Sequence, residues 1–373
     1  MISLAVAVNL MPVFLTTVSV DLGGSTVLTN EQLGRIGAVT FAGLVLAICI
    51  TGPLADRIGG KVFAVGGNLL VAAGLAGLAA SPSYETVLMA VFAMGFGAGT
   101  LDMVLSPIVA ALQPHRRTAA MNLLHSFYCI GAVLTIFIAS LALKLAVPWR
   151  SIPLGLVALP LAVGAGFVFL RIPPLVAAHE ERIRLRTLAR EPLFILAVAG
   201  IFLGGATEMG MATWLPAYAE KSLGYTRWVG GMAFLGFSLA MAVGRVAAGF
   251  VAHRVPAVTM MMWCCGASVV LFLAACFVPV PPIALAACVA AGLTGSCLWP
   301  SILGVAGDRY PHGGASMFAI LAASGNFGGI FMPWIVGLAA DHSSMALGLS
   351  TATLCPLLLM FLLPRLRMRA PKS

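Results

Sequence analysis

The stretch TVLMAVFAMGFGAGTLDMVLSPIVAAL, residues 86–112, determines the class of protein to which this chain belongs. It is longer than the roughly 20 apolar residues that a helix needs to cross the hydrocarbon core of a bilayer. Asp102 is its only charged residue and lies well inside both ends. A charge at this depth costs about 3 kcal/mol on insertion scales, so it normally faces protein or water. The stretch therefore predicts a transmembrane helix that carries a candidate functional acid.

The composition of the whole chain extends this prediction to an integral membrane protein. Hydrophobic residues make up 61% of the 373 residues and charged residues 9%. Soluble domains carry about 25% charged residues, so this chain has too few to cover a water-facing surface. The net charge of +9 does not indicate a nucleic-acid partner, because the basic residues fall between the apolar runs.

Long apolar runs without alternation predict an all-α membrane protein with twelve transmembrane helices. The predicted spans are 2–20, 32–53, 62–80, 86–112, 119–143, 151–170, 193–218, 228–251, 257–278, 282–305, 315–339 and 344–363. The predicted domains are an N-terminal six-helix bundle (1–170), a cytoplasmic connector (171–192) and a C-terminal six-helix bundle with a short basic tail (193–373). Part of the connector is expected to form a short amphipathic helix on the membrane surface.

The distribution of basic residues predicts the orientation in the membrane. Of the 21 Lys and Arg residues, fifteen fall on the side of the predicted N-terminus, five on the opposite side, and Arg245 within a span. Since basic loops stay in the cytoplasm, both termini are predicted to be cytoplasmic in a cell membrane. The first apolar run begins almost at residue 1 without the features of a signal peptide, and a short cytoplasmic head is expected to be missing from it.

The two halves contain a short internal repeat. GPLADRIGG (52–60) and GFVAHRVPA (249–257) share Gly, Ala and Arg at the same spacing, 197 residues apart. At the same offset, Gly131 corresponds to Gly328. Parallel repeats of six spans are typical of transporters that bind their substrate near the middle of the membrane.

The segment GPLADRIGGK (52–61) resembles the loop between the second and third helices of the major facilitator superfamily. This resemblance implies a fold of two six-helix bundles and a role for Gly52, Asp56, Arg57 and Lys61 as a conformational latch. Arg245, near the inner end of the eighth span, is either a partner of this latch or an arginine that extends to the membrane surface.

A narrower resemblance is to the fucose–proton symporter group. It rests on LDMVLSPIVAALQPHRRTAAMNLLHSFYCIGA (101–132) and GGATEMGMATWLPAY (204–218). Ser106 precedes Pro107 where that group often has Asn, and His125 is a further departure. The superfamily fold implies that the first, fourth, seventh and tenth helices line a central cavity.

Asp102 and Glu208 are the predicted ion-coupling residues, since each is a carboxylate placed deep in a predicted span. Desolvation favours the neutral form of a carboxylic acid, which allows proton exchange near neutral pH. A structural role as hydrogen-bond acceptor is the alternative for each. Sodium is the alternative coupling ion, because carboxylates also bind hard cations. No basic partner of Glu208 is evident from the sequence.

A group of aromatic and amide residues is predicted to bind the substrate, because flat apolar faces combined with neutral donors and acceptors suit sugar rings. The group consists of Asn9, Asn122, His125, Tyr128, Trp214, Trp299 and Asn326. The alternative is structural: Trp and Tyr also anchor membrane interfaces, Asn can bridge helices, and His125 can be a packed helix contact.

These features together predict proton- or cation-coupled symport of a neutral sugar or a similar polar molecule by a monomer. Proton-driven efflux of a drug or metabolite is the nearest alternative, and a membrane sensor without net transport is an alternative of another class. An enzyme is not expected, because the chain has no HExxH motif, nucleophile elbow or P-loop. The eight cysteines form no CxxC pair and are interpreted as small buried residues. No metal site, cofactor or nucleic-acid partner is predicted.

Overall fold

The computed structural model describes residues 1–23, 27–112, 117–172, 185–251, 254–310 and 314–366. Every longer regular element in this part of the chain is an α-helix. The helices are α1 (Ile2–Leu22), α2 (Asn30–Ile58), α3 (Gly60–Ala80), α4 (Tyr84–Leu112), α5 (Arg117–Lys144), α6 (Ser151–Leu156), α7 (Ala158–Phe169), α8 (Leu185–Leu188), α9 (Pro192–Lys221), α10 (Arg227–Val251), α11 (Ala257–Phe277), α12 (Pro281–Gly295), α13 (Leu298–Arg309), α14 (Gly314–His342), α15 (Met345–Ser350) and α16 (Leu354–Leu366).

Within the described residues, twelve helical segments are long and apolar enough to cross a membrane, which confirms the predicted number of spans. Three spans are interrupted: α6 with α7, α12 with α13, and α15 with α16. The apolar runs did not reveal these interruptions, because a break of one to three residues leaves the hydropathy of a run nearly unchanged. Only the short helix α8 is described within the predicted amphipathic segment of the connector.

The chain divides into two compact units. The first comprises Met1–Ala178 with Thr226–Leu235, and the second comprises His179–Tyr225 with Gly236–Ser373. The division between 178 and 179 falls in the predicted connector, but the first part of α10 groups with the first unit. There Trp228 packs edge-on against Phe137, with ring centroids 6.5 Å apart. The six-and-six domain boundaries stay a prediction.

In the first unit, small residues allow α4 to lie directly against α2. A Cβ atom added to Gly95 would lie 1.9 Å from the carbonyl oxygen of Thr40, and one added to Gly99 would lie 2.2 Å from that of Leu44. Close packing of this kind is the usual way in which membrane helices associate, because lipid offers no hydrophobic driving force. The glycines of residues 95–99 are therefore a packing face, and they set the position of α4 and of Asp102.

The internal repeat is visible as one helix contact that occurs in both units. Gly131 of α5 lies against Ala5 of α1, and Gly328 of α14 lies against Phe202 of α9. Phe202 follows Ala5 by the same 197 residues that separate the two glycines. The repeat inferred from sequence thus corresponds to equivalent helix contacts within each unit.

Candidate functional site

Glu208 and Arg245 form an ion pair in the interior of the second unit. Nη2 of Arg245 lies 3.5 Å from both Oε1 and Oε2 of Glu208, and the exposed fractions of the two side chains are 35% and 10%. Strong guanidinium–carboxylate hydrogen bonds are about 2.7–2.9 Å long, so this contact is loose. Nε of Arg245 is buried and has no hydrogen-bond partner among the described residues. The pair therefore keeps one N–H donor that no described residue uses.

The depth of Glu208 in its helix agrees with the sequence interpretation. It lies sixteen residues after Pro192 and thirteen before Lys221, which is about 24 Å and about 20 Å along the helix axis. It is also one turn after Gly204 and Gly205, which leave room beside α9 for the residues of α13. Glu208 is therefore close to the middle of its span.

Close packing of α10 against α12 directs Arg245 towards α9. A Cβ atom added to Gly244 would lie 2.3 Å from Oγ of Ser296, in the interruption between α12 and α13. Val243 and Val246, on another face of α10, are 61% and 62% exposed. Because Arg245 turns away from this apolar face and reaches Glu208, the structure does not show it extending to the membrane surface.

The sequence did not predict that Arg245 pairs with Glu208. The two residues are 37 positions apart on different spans, and neither spacing nor periodicity joins them. Arg245 was interpreted as a candidate latch residue, and that role stays a prediction. The available signal was that Arg245 is the one Lys or Arg residue more than four positions from either end of a predicted span, where a cation needs a counter-charge.

Trp299 lies beside this pair on a surface formed by two glycines. The Cβ positions of Gly205 and Gly325 would be 3.1 Å and 2.2 Å from Cζ3 of its indole ring. Trp299 is half-buried, and Asn326, next to Gly325, is also half-buried and donates a hydrogen bond to the carbonyl of Ala322. Two of the predicted substrate residues therefore share one region of the second unit and retain exposed surface.

Trp214 has a different environment. Its side chain is completely buried, and Nε1 donates a hydrogen bond of 2.9 Å to the carbonyl oxygen of Pro333. Its indole N–H is satisfied and no face of the ring is open. The structure thus places Trp214 in the packed interior of the second unit, where it joins α9 to α14.

The first unit contains a second polar contact among the predicted residues. Nδ2 of Asn9 donates to the carbonyl of Ala5 at 2.9 Å and to Oη of Tyr128 at 3.3 Å. Asn9 is buried, whereas Tyr128 and Asp102 are half-buried. Asp102 belongs to α4, which packs against α1 in this unit.

The side chains of several predicted site residues lie outside the part that the structure describes, although the helices that carry them are included. These are the side chains of Asn122 and His125, predicted to bind substrate, and Gly52, Asp56 and Arg57 of the predicted latch. The remaining latch residue, Lys61, is half-buried in the first turn of α3. Among the described residues, no group of three or more His, Cys, Asp or Glu is arranged to hold a metal ion.

Comparison with known proteins gives the family and the fold. The family model described as Major Facilitator Superfamily matches residues 1–333 and 229–373. The crystal structure of the E. coli fucose:proton symporter FucP has a TM-score of 0.68 and 19% identity, and the match covers 99% of this chain and 97% of FucP. A D-xylose–proton symporter has a TM-score of 0.76 and 13% identity over 97% and 94% of the two chains. At these identities the structures support the fold alone.

The names of two related sequences refer to different compounds. The probable nitrate/nitrite transporter NarK2 of Mycobacterium tuberculosis is 26% identical over 314 residues, which cover 78% of this chain and 75% of NarK2. The multidrug resistance protein MdtL of Vibrio parahaemolyticus is 32% identical over 149 residues, which cover 39% of this chain and 36% of MdtL. The chain therefore matches little more than a third of the length of MdtL.

Proposed function

The chain belongs to the Major Facilitator Superfamily, and on this premise we propose that it couples proton movement to the uptake of a sugar or a similar polar molecule. Family membership and twelve apolar helices make it a multi-pass membrane transporter rather than an enzyme. Proton coupling, the sugar class and the direction of transport are parts of the proposal. So are a location in the cell membrane with both termini in the cytoplasm, and a monomeric state.

The ion pair of Glu208 and Arg245 is the observation that carries the proposal. A carboxylate that is 10% exposed, near the middle of a span and 3.5 Å from a guanidinium, can exist in two charge states. Protonation removes its attraction to Arg245, and loss of the proton restores it. A proton that changes this contact changes the relative stability of two conformations, which is the requirement for coupling. Asp102 is the second candidate for the same role.

The proposed substrate class rests on the half-buried polar and aromatic groups. Trp299 offers part of an indole face, and Asn326 and the Asn9–Tyr128 pair offer neutral donors and acceptors. The names of two structural neighbours, a fucose:proton and a D-xylose–proton symporter, agree with a sugar. The predicted substrate residues Asn122 and His125 stay part of the proposal, whereas the burial of Trp214 favours a structural role for that residue.

A transport assay with purified protein in liposomes tests this function. A panel of sugars and similar polar molecules, including sugar acids, is offered under an inward proton gradient, an inward sodium gradient, or neither. The expected result is accumulation of at least one of these compounds under the proton gradient. Glu208→Gln should abolish accumulation but retain exchange of substrate across the membrane, whereas Glu220→Gln, at the outer end of the same helix, should accumulate normally. Normal accumulation by both Glu208→Gln and Asp102→Asn would refute coupling through these acids.

Proton-driven efflux is a second candidate, favoured by the similarity to MdtL. The two functions differ in the effect of a compound on a preformed proton gradient. In inside-out vesicles that are acidic inside, an exported drug releases protons when it is added, and a fluorescent pH dye reports the change. If lipophilic cations dissipate the proton gradient and no sugar accumulates, the function is efflux and not uptake.

A further inference from the structure

The charge balance of the Glu208–Arg245 pair restricts the chemical class of the substrate further than the proposed function does. We propose that the solute is a monoanionic sugar acid whose carboxylate binds Arg245 when Glu208 is protonated, so that proton and anion cross together without net charge. This inference rests on the proposed function and narrows its substrate from sugars in general to their acids. It follows from the loose geometry of the pair, the unused donor Nε of Arg245, and the lack of another compensating charge at this depth among the described residues of the second unit.

The charges of the four possible states show why an acid fits. With Glu208 ionised and no substrate, the pair is neutral. With Glu208 protonated and an anion on Arg245, the site is neutral again. A proton alone leaves a net charge of +1, and an anion alone leaves −1. Because an uncompensated charge inside a membrane protein is costly, the empty and fully loaded states cross and the two half-loaded states do not.

A neutral sugar does not give this pattern. The carrier loaded with a proton and a neutral sugar would hold the guanidinium of Arg245 without a counter-charge. The loaded form would then be the unfavourable one, and the coupling would oppose transport.

Arg245 also has the donors that a carboxylate requires. A guanidinium carries five N–H donors in a fixed fork that matches the two oxygens of a carboxylate. In this structure one nitrogen, Nη2, faces both oxygens of Glu208 at 3.5 Å, and the buried Nε donates to no described group. When Glu208 is protonated, the guanidinium can therefore release this contact and bind a second carboxylate through the edge formed by Nε and Nη2.

No other charged side chain in the described part of the second unit lies at this depth. The helices packed against α9 carry their charged residues at or beyond their ends: Arg309, Asp341, His342 and Arg365. On α9 itself, Glu220 and Lys221 are at the C-terminal end. Between these ends, the ionisable side chains that the structure describes in the spans packed against α9 are those of cysteines such as Cys297. Within this unit the charge on Arg245 is thus balanced by Glu208 or by a ligand.

Matched pairs of sugars and sugar acids test the inference. Liposomes containing the protein are offered D-glucose and D-gluconate, D-galactose and D-galactonate, and D-xylose and D-xylonate under an inward proton gradient. The expected result is accumulation of at least one acid and of none of the neutral partners. Accumulation of a neutral sugar without its acid would overturn the inference and leave the proposed function intact. If no compound of either series accumulates, both the inference and the proposed function are overturned.

The electrical character of uptake provides an independent measurement. One proton with one monoanion carries no net charge, so an inside-negative potential set with potassium and valinomycin should not drive uptake when the pH is equal on both sides. A proton with a neutral sugar carries one positive charge, and the same potential would then drive accumulation. Uptake of an acid that responds to this potential would also contradict the inference.

Variants of Arg245 show whether this residue selects the acid. Arg245→Gln should lower the affinity for gluconate relative to that for glucose, measured by competition, about tenfold or more. The reason is that the charged hydrogen bonds to the carboxylate are lost. Arg245→Lys keeps the charge but loses the fork, and should fall between Arg245→Gln and the unchanged protein. Arg254→Gln, which removes an exposed arginine beyond the end of α10, is the matched control and should leave the ratio unchanged. An unchanged ratio in Arg245→Gln would refute recognition by Arg245.

Discussion

Breaking the Glu208–Arg245 pair should destabilise the protein more than removing both charges together. At 3.5 Å and an effective dielectric constant of about 20, the attraction between the two charges is about 5 kcal/mol. Desolvation of both groups offsets much of this attraction. Loss of one partner of a fully buried pair costs about 3–5 kcal/mol. Since the side chain of Arg245 is 35% exposed, we expect a smaller cost of about 2–3 kcal/mol for either single variant.

A double-mutant cycle in thermal stability measures this coupling. Glu208→Gln, Arg245→Gln and the double variant are purified in the same detergent and heated at one scan rate, because unfolding of such proteins is often irreversible. With roughly 2 °C per kcal/mol for a large chain, each single variant should lose about 4–6 °C in Tm. The double variant should lose only about 2 °C, since two neutral amides leave no uncompensated charge.

A control cycle separates this coupling from general effects of glutamine. Glu220→Gln and Arg254→Gln remove one acid and one base from the ends of α9 and α10, where neither group is part of the pair. Their effects should be small and additive. If the loss of Tm in the Glu208/Arg245 double variant equals the sum of the two single losses, the residues do not interact and the charge argument for the substrate fails with them.

Three further variants test the packing around the site. Gly325→Ala should lower Tm by several degrees, because the added methyl group would overlap the indole of Trp299. The control Gly304→Ala, whose methyl group would point into open space, should be neutral or slightly stabilising. Equal effects of the two variants would refute the contact between Gly325 and Trp299. Gly95→Ala should reduce the yield of folded protein, because its methyl group would meet the backbone of α2, and normal yield and Tm would refute that packing. Trp214→Phe should cost about 1 kcal/mol of stability through loss of a buried hydrogen bond and leave the substrate affinity unchanged; a changed affinity with normal stability would show that Trp214 contacts the substrate.

The fold of this chain is predictable from sequence because its determinants are local. An apolar run of about 20 residues must form a helix in a bilayer, where every backbone group needs an internal partner. Composition and run length therefore predicted the twelve spans, and the motif at residues 52–61 indicated the family. Glycine spacing also had a local meaning: the glycines of residues 95–99 allow one helix to lie against another.

The candidate site is less predictable because its determinants are contacts between distant segments. Trp214 and Trp299 were equivalent as aromatic residues on predicted cavity helices. Trp214 proved to be fully buried with a backbone partner, whereas Trp299 keeps an exposed part over Gly205 and Gly325. The difference depends on which residues of α14 face each ring, and no pattern within α9 or α13 contains that information.

The charge argument shows where sequence and structure each contribute. Hydropathy alone identifies Glu208 and Arg245 as residues whose charges are costly in a membrane, and it predicts that each needs compensation. It does not say whether that compensation comes from protein, water or ligand. The structure shows that Glu208 compensates Arg245 through a contact of 3.5 Å, which leaves Nε of Arg245 without a partner among the described residues. A pair held this loosely can exchange partners, because protonation of the acid makes the cation available to another anion. The energetic cost of an uncompensated charge in the membrane, which makes Glu208 and Arg245 conspicuous in the sequence, would therefore also couple the binding of a proton to the binding of a substrate.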